Sequence, residues 1–158
     1  MRAISLHQPH ATFVALGLKP FEMRHWETDN RGPLLIHAAK RQMRDCDYEL
    51  WFRVYAALSK TEAGRALIAF QPFRQPPPYG AFVCIVDLVD VRPAESLSAE
   101  DKSRSNGLGD FSAGRFAWDL RDVRRLKTTW TARGRQSFWN VNMTFEPCEV
   151  EPMNQIIL

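Results

Sequence analysis

The chain of 158 residues has few cysteines, few lysines and no long apolar segment. Its three cysteines, Cys46, Cys84 and Cys148, are odd in number and far apart, which excludes the disulfide framework of a small secreted protein. No segment approaches the about 18 consecutive apolar residues of a membrane-spanning helix, and residues 1–7 turn polar too early for a signal peptide. We therefore expect a cytoplasmic protein that does not insert into a membrane.

Signals for a cofactor or a metal are also lacking. The segment 109–115 has the glycine spacing of a phosphate-binding loop but not the Lys and Ser/Thr that such a loop needs. No Gly-x-Ser-x-Gly nucleophile elbow occurs. His7 and His10 are close in sequence, but the usual second pair of zinc ligands is missing. We expect neither a bound metal nor a cofactor.

Length and composition predict one globular domain over residues 1–158. Hydrophobic residues make up 45% and charged residues 25% of the chain, which is close to the average for a soluble protein. Apolar patterning predicts about six strands, few helices and no βαβ alternation, hence an α+β fold around a small mixed β-barrel flanked by helices. Strands are expected at 2–7, 21–26, 33–38, 81–91 and 145–150, with a pair at 116–120 and 123–127.

The remaining segments carry helix and loop signals. A helix begins near Pro9 and ends at Gly17, and a second helical period runs from 44 to 70, with a possible break at Gly64. Residues 71–80 contain four prolines and predict an extended connector. Residues 93–113 are polar and rich in serine, which predicts a mobile loop, and residues 134–139 predict a turn or short helix.

The positive charge is carried mainly by arginine and is unevenly distributed. Of 21 cations 16 are arginine, and residues 111–145 hold seven cations against two anions. Arginine suits phosphate recognition, and a local positive field favours an anionic ligand such as nucleic acid. A GC-rich genome explains abundant arginine equally well, and a solvated face explains the cluster.

One short segment concentrates functional side chains. If residues 21–26 form a strand, Glu22, Arg24 and Trp26 face one way, while Phe21 and Met23 face the core. Lys19 comes directly before this strand. The segment thus predicts a compact site with a carboxylate, two cations and an aromatic ring, whereas a solvated strand with a weak ion pair is the simpler alternative.

This segment resembles the hallmark Gly-x-Lys-x-x-Glu-x-Arg of the ASCH domain (activating signal cointegrator homology), a branch of the PUA-like superfamily. It is intact as Gly17, Lys19, Glu22 and Arg24. The flanking segments 4–9, 31–38, 80–91, 114–118 and 133–139 also resemble family blocks, although His10 stands where an aromatic residue is commoner. The resemblance implies a β-barrel flanked by helices, with a cleft beside the Gly-x-Lys loop.

The resemblance leaves two classes of function open, of which we favour nucleic-acid binding. RNA is the expected partner before DNA, and a modified nucleoside is a further possibility. In this hypothesis Lys19 and Arg24 contact phosphate or base edges, Trp26 and Trp118 stack on bases, and basic residues of the segment 127–135 follow the backbone. The expected binding residues are Lys19, Arg24, Gln8, Trp26, Trp118, Arg133, Arg135 and Gln136. Gln8 and Gln136 can instead cap backbone groups, and core packing is the preferred interpretation of Trp139.

The alternative is a hydrolase, because family members include ribonucleases and amidohydrolases of acylated cytidine. Lys19 and Glu22 are then the expected catalytic residues. Glu22 stands where the amidohydrolases have threonine, and it favours a protonated Lys19 that polarises a carbonyl or phosphate rather than a nucleophilic amine. In a ribonuclease, Glu22 or His7 would transfer the proton.

Overall fold

The computed structural model describes residues 1–60, 65, 67, 76–146 and 149–152 as an α+β fold around one curled, mixed sheet. The strands are β1 (Arg2–Leu6), β2 (Phe21–Arg24), β3 (Gly32–Ala38), β4 (Ala81–Pro93), β5 (Phe116–Thr131), β6 (Phe138–Asn140) and β7 (Val150–Pro152). The helices of these ranges are α1 (His10–Ala15), α2 (Asp45–Leu58), a 3₁₀ turn (Ala94–Ser96) and α3 (Ala99–Arg104). The predicted fold class is confirmed.

The sheet has the order β2-β5-β4-β3-β1-β6, and β7 also pairs with β5. The pair β1–β3 is parallel, whereas the other pairs are antiparallel. The two ends of this order approach each other through side chains: Trp26, just after β2, contacts Phe138 of β6 at a ring distance of 5.3 Å. Arg24 of β2 also donates a hydrogen bond to the carbonyl of Ser5 in β1. The sheet is therefore curled like a barrel whose seam is closed by side chains.

Strand β4 lies at the centre of this sheet and is buried on both faces over its first six residues. Residues of β4 enter two apolar clusters: Cys84 and Val86 join the inner core with α1, while Phe82 and Ile85 join an outer core. The alternation is interrupted by an irregularity between Phe82 and Cys84. The outer core is covered by side chains that follow β5, including Trp139. Burial on both faces explains why the apolar run of β4 is continuous. Trp139 packs against the outer core, in agreement with the interpretation preferred from the sequence.

A third apolar cluster joins the helices to the barrel. Trp51 and Val54 of α2 pack with Phe13 of α1 and with Leu108, and Phe13 and Trp51 lie with ring centroids 5.6 Å apart. The helical period at Leu50–Leu58 therefore does bury one face of α2 against α1. The possible break at Gly64 lies outside the described residues.

Several predicted elements were wrong in detail. The paired strands 116–120 and 123–127 are one strand, β5, because Asp122 adopts a left-handed φ of 49° and makes an irregularity rather than a turn. The segment 93–113 is not a loop throughout, since it holds the 3₁₀ turn and α3 and buries Leu97 and Leu108. Residues 76–79 of the proline connector form neither a helix nor a strand, and its earlier part lies outside the described residues.

Smaller corrections concern the strand and helix ends. Strand β2 stops at Arg24, two residues short of the prediction, and Pro9 is the N-cap of α1 rather than its first residue. Residues 138–140 form β6 instead of a turn or helix. The closing strand is β7, which begins at Val150 and so shares only that residue with the predicted strand 145–150. Cys46 and Cys84 are free thiols, and Cys148 lies outside the described residues. No helix in the described part of the chain is long and apolar enough to cross a membrane.

Candidate nucleic-acid interface

An open cleft of about 1520 Å³ lies beside the seam of the barrel. Its walls come from β1, from the residues around β2, from the end of β3 and from the segment that follows β5. Most of the lining residues have polar or charged side chains: Ser5, His7, His10, Glu22, Arg24, His25, His37, Lys40, Tyr79, Thr131, Arg133, Arg135, Gln136 and Ser137. The cleft thus brings together residues more than a hundred positions apart in the chain.

The floor of the cleft contains the predicted carboxylate between two cations. Glu22 Oε2 lies 2.5 Å from Lys19 Nζ, and Glu22 Oε1 lies 3.1 Å from Arg24 Nε. The strand period places Glu22 and Arg24 on one face, and Gly17, at a φ of 68°, ends α1 so that the chain turns back with Lys19. The three side chains lie together as predicted, with Glu22 in contact with both cations.

Lys19 lies behind the cleft wall rather than on it. Its side chain is 3% exposed, and Nζ donates hydrogen bonds to Glu22 and to the carbonyl oxygen of Phe21. Lys19 is therefore positioned to neutralise Glu22, not to contact a ligand directly. This corrects the expectation that Lys19 itself binds phosphate or a base edge.

Glu22 is ionised in this environment. Burial alone would raise its pKa, but the charges of Lys19 and Arg24 outweigh burial and hold the pKa of Glu22 below its ordinary value. His10, also on the cleft wall, has its pKa lowered by burial and by the charge of Lys19, so its ring is neutral at pH 7. The floor therefore presents a carboxylate, a guanidinium and a neutral imidazole.

The rim of the cleft carries cations that have no acidic partner in the part of the chain that the structure describes. Lys40, Arg133 and Arg135 are exposed, and none of them forms an ion pair with any residue in the described ranges. By contrast, Arg115, Arg121 and Arg124 of the positive segment are paired with Asp110, Asp119 and Asp87 respectively. The positive field of the segment 111–145 is thus weaker than its count of charges predicts. Two of its cations without an ion pair among the described residues, Arg133 and Arg135, lie on the cleft rim.

A tight contact positions the loop that bears two of these cations. His37 Nε2 lies 3.0 Å from the carbonyl oxygen of Ala132, His37 Nδ1 lies 3.1 Å from Ser5 Oγ, and the backbone N–H of Ala132 donates to Gly80. A Cβ built on Gly134 would lie 2.6 Å from His37 Cε1. Only glycine fits against this ring, so Gly134 holds Arg133 and Arg135 close to the barrel.

Two expected binding residues lie in the core instead. Trp118 is completely buried and stacks against Phe138 at 5.2 Å, so it has no face for a base. Gln8 is also completely buried, with its Nε2 donating to the Pro78 carbonyl and its Oε1 accepting from the Thr12 N–H. The expectation that these two contact nucleic acid does not fit the structure, because Trp118 packs within the core and Gln8 links α1 to the backbone of Pro78.

The other expected residues border the cleft. Gln136 is exposed there, beside Arg135. Trp26 is half-buried on the wall, with edge-to-face contacts to Trp118 at 4.6 Å and to Phe138 at 5.3 Å. His7 is exposed at the cleft, and burial together with Arg41 lowers its pKa.

Sequence reasoning missed Lys40 and His37. Lys40 follows the end of β3, and His37 is the polar residue within an otherwise apolar strand. A lone lysine at a strand end and a histidine in a buried strand were the signals that could have identified them. Within the described ranges, no group of three His, Cys, Asp or Glu side chains is arranged to hold a metal ion.

Comparison with known families agrees with this architecture. The family model of the ASCH domain matches residues 4–130, which include the segment from Lys19 to Arg24 and most of the barrel. A comparison with curated proteins finds no significant match.

Proposed function

The chain belongs to the ASCH domain family, and from the charges of its cleft we propose that it binds single-stranded nucleic acid, RNA in preference to DNA. The observation that carries this proposal is a rim of three exposed cations, Lys40, Arg133 and Arg135, that have no ion-pair partner among the described residues, around a cleft lined largely by polar residues. When such cations neutralise phosphates, the counterions condensed on the nucleic acid are released, and this release drives binding.

The preference for RNA rests on the polar lining of the cleft. Thr131, Gln136 and Ser137 supply neutral donors and acceptors on the same wall as the arginines. Hydroxyl and amide groups of this kind can exchange hydrogen bonds with the 2′-hydroxyl, which DNA lacks. Trp26, half-buried on the wall, offers the aromatic surface on which an unpaired base can pack.

The same geometry argues against a hydrolase built on Lys19. A nucleophilic lysine needs a neutral amine with access to the substrate. Lys19 Nζ is instead buried, ion-paired with Glu22 and hydrogen-bonded to a backbone carbonyl. Glu22, with its lowered pKa, is also a weak general base. We therefore place binding first.

The proposal is tested by the salt dependence of RNA binding. Fluorescence anisotropy with a labelled single-stranded RNA should give an affinity that falls as the salt concentration rises. The affinity should depend only weakly on the sequence of those nucleotides that lie outside the cleft. Changing Arg133 and Arg135 together to Gln should make the slope of log K against log salt shallower by about one to two units, because about two phosphate contacts are lost.

Lys127→Gln is the matched control. Lys127 is an exposed cation of the same positive segment, but it does not border the cleft. An unchanged slope in the double variant, or an equal change in the control, would move the contact surface away from the cleft. Mass analysis of the RNA and of an acylated cytidine after incubation should show no product; a product that disappears on Lys19→Ala would favour the hydrolase.

A further inference from the structure

The floor of the cleft has hydrogen-bonding capacity that the protein does not use. A carboxylate can accept about four hydrogen bonds. Glu22 Oε2 accepts one from Lys19, whereas Oε1 accepts none from the described residues. Arg24 Nε lies 3.1 Å from Oε1 in ion-pair contact but without a hydrogen bond to it. Arg24 Nε is itself buried, but the side chains of Glu22 and Arg24 are 12% and 23% exposed and line the cleft, so a ligand can reach part of each.

The cations of rim and floor differ in whether they already have an anionic partner. Arg133 and Arg135 form no ion pair among the described residues, whereas Lys19 and Arg24 are both paired with Glu22. Phosphate is therefore attracted most strongly to the rim, and the Glu22–Arg24 pair suits an uncharged part of a nucleotide that forms hydrogen bonds. The part of a nucleotide that carries N–H donors is the base, and single-stranded RNA presents its base edges freely.

We propose that the floor of the cleft selects guanine, an inference that rests on the nucleic-acid binding proposed above. Arg24 supplies a donor, and the two oxygens of Glu22 supply adjacent acceptors. Guanine has the complementary edge, because its O6 accepts while N1–H and the N2 amino group donate. Glu22 and Arg24 together thus resemble the edge that cytosine presents in a base pair.

The other three bases fit this pattern less well. Cytosine has one donor and two acceptors in the same order as the floor, so its two acceptors face the carboxylate. Uracil has one N–H between two carbonyls, and adenine has one amino group beside a ring acceptor. Each leaves at least one acceptor opposite Glu22, and a buried acceptor without a donor is costly.

Pentanucleotides with a single variable base test the inference without altering the protein. Anisotropy competition should rank UUGUU at least about tenfold tighter than UUCUU, the range of one good bidentate base contact. Inosine lacks the N2 amino group, so UUIUU should bind several-fold more weakly than UUGUU. A 1-methylguanine in the same position should lose most of the preference, because its N1 has no hydrogen.

A pair of isosteric variants then assigns the preference to Glu22. Glu22→Gln should remove the difference between UUGUU and UUCUU, because an amide replaces one acceptor by a donor. Glu27→Gln makes the same chemical change at an exposed position outside the cleft and should keep the preference. Changing Arg133 and Arg135 to Gln should weaken all pentanucleotides by a similar factor.

The outcomes separate the two proposals. Equal affinity for all four bases, with a normal salt slope, would overturn guanine selection and leave nucleic-acid binding standing. No salt-dependent binding of any pentanucleotide would overturn both. If Glu22→Gln does not fold, the series of guanine, inosine and 1-methylguanine decides the question on the unaltered protein.

Discussion

At the scale of single residues, the buried contact between Lys19 and Glu22 determines the chemistry of the cleft. Lys19, which the sequence suggested as a ligand contact, is instead the buried counter-ion of Glu22. Because Lys19 keeps Glu22 ionised, the acceptor character of the floor depends on a residue that the cleft does not expose. Burial of both partners also makes this pair more consequential for stability than a surface ion pair.

We expect Lys19→Met to lower the free energy of unfolding by about 3–5 kcal/mol, the usual cost of removing one partner of a buried pair. Glu22 would then keep its burial but lose its nearest cation. Lys19→Arg retains the charge and should lose less. Urea-induced unfolding measures both variants.

The double variant Lys19→Met with Glu22→Gln is the control for this pair. It removes both charges, so it should recover part of the stability that Lys19→Met loses. A loss below about 1 kcal/mol in Lys19→Met would mean that the pair behaves like an exposed one.

At the scale of elements, the segment between β5 and β6 places two cations of the barrel surface, Arg133 and Arg135, on the rim of the cleft. Residues 132–137 are fixed at one end by the hydrogen bonds of Ala132 and in the middle by the contact of Gly134 with His37. Binding residues carried by loops depend on such anchors, because a loop has little packing of its own.

We expect Gly134→Ala to weaken RNA binding and to flatten its salt slope in the same direction as loss of Arg133 and Arg135. The added Cβ would overlap Ser5 Oγ at 2.7 Å as well as the His37 ring, so the loop must shift. Anisotropy titrations at several salt concentrations measure this change.

Gly32→Ala provides the comparison for this prediction. Gly32 has a φ of 93° and no atom within 4 Å of an added Cβ, so its replacement strains the backbone without touching the loop. It should lower stability but keep the salt slope. Equal slopes in Gly134→Ala and the unaltered protein would show that the rim does not depend on this contact.

At the scale of the whole molecule, the fold keeps three histidines neutral. Burial lowers the pKa of His7, His10 and His37, while the hydrogen bonds from His37 to backbone carbonyls oppose the shift at that residue. The unfolded chain takes up protons at these histidines near pH 6.5, before the folded chain does. Acid therefore favours the unfolded state.

We expect the free energy of unfolding to decrease as the pH falls from 7.5 through 6.5 to 5.5. The free energy of unfolding should decrease further at pH values near and below 4.5. The folded chain lowers the pKa values of Glu22 and Asp47, so these carboxylates protonate first in the unfolded chain. Urea unfolding at each pH measures the trend.

His10→Asn should make the decrease between pH 7.5 and 5.5 shallower, because one of the three titrating groups is removed. Stability that stays constant over this interval in the unaltered protein would contradict the assignment of neutral, buried histidines.

Local patterning accounted for the parts of the fold that are decided within a few residues. The apolar runs of β3 and β4, the helical period of α2 and the glycine stop of α1 were all readable. Bends within an element were not: β5 stays one strand because β4 pairs with both of its halves across the irregularity at Asp122. Likewise, Leu108 is held by partners distant in sequence, and no local signal reports such partners. The helix α3 did have a local signal that the prediction of a loop missed, because the Ser98 hydroxyl caps it by accepting a hydrogen bond from the N–H of Asp101.

The sequence by itself determined the family, the sheet-based fold and the convergence of Lys19, Glu22 and Arg24, because strand periodicity and a single turn are local properties. Only the tertiary structure decided which side chains meet the cleft. It buried Trp118 and Gln8, withdrew Lys19 behind the wall, and brought Lys40 from the end of β3 to the same rim as Arg133 and Arg135. Burial and juxtaposition depend on contacts between distant strands, and the curling of the sheet that creates them is a property of the whole barrel.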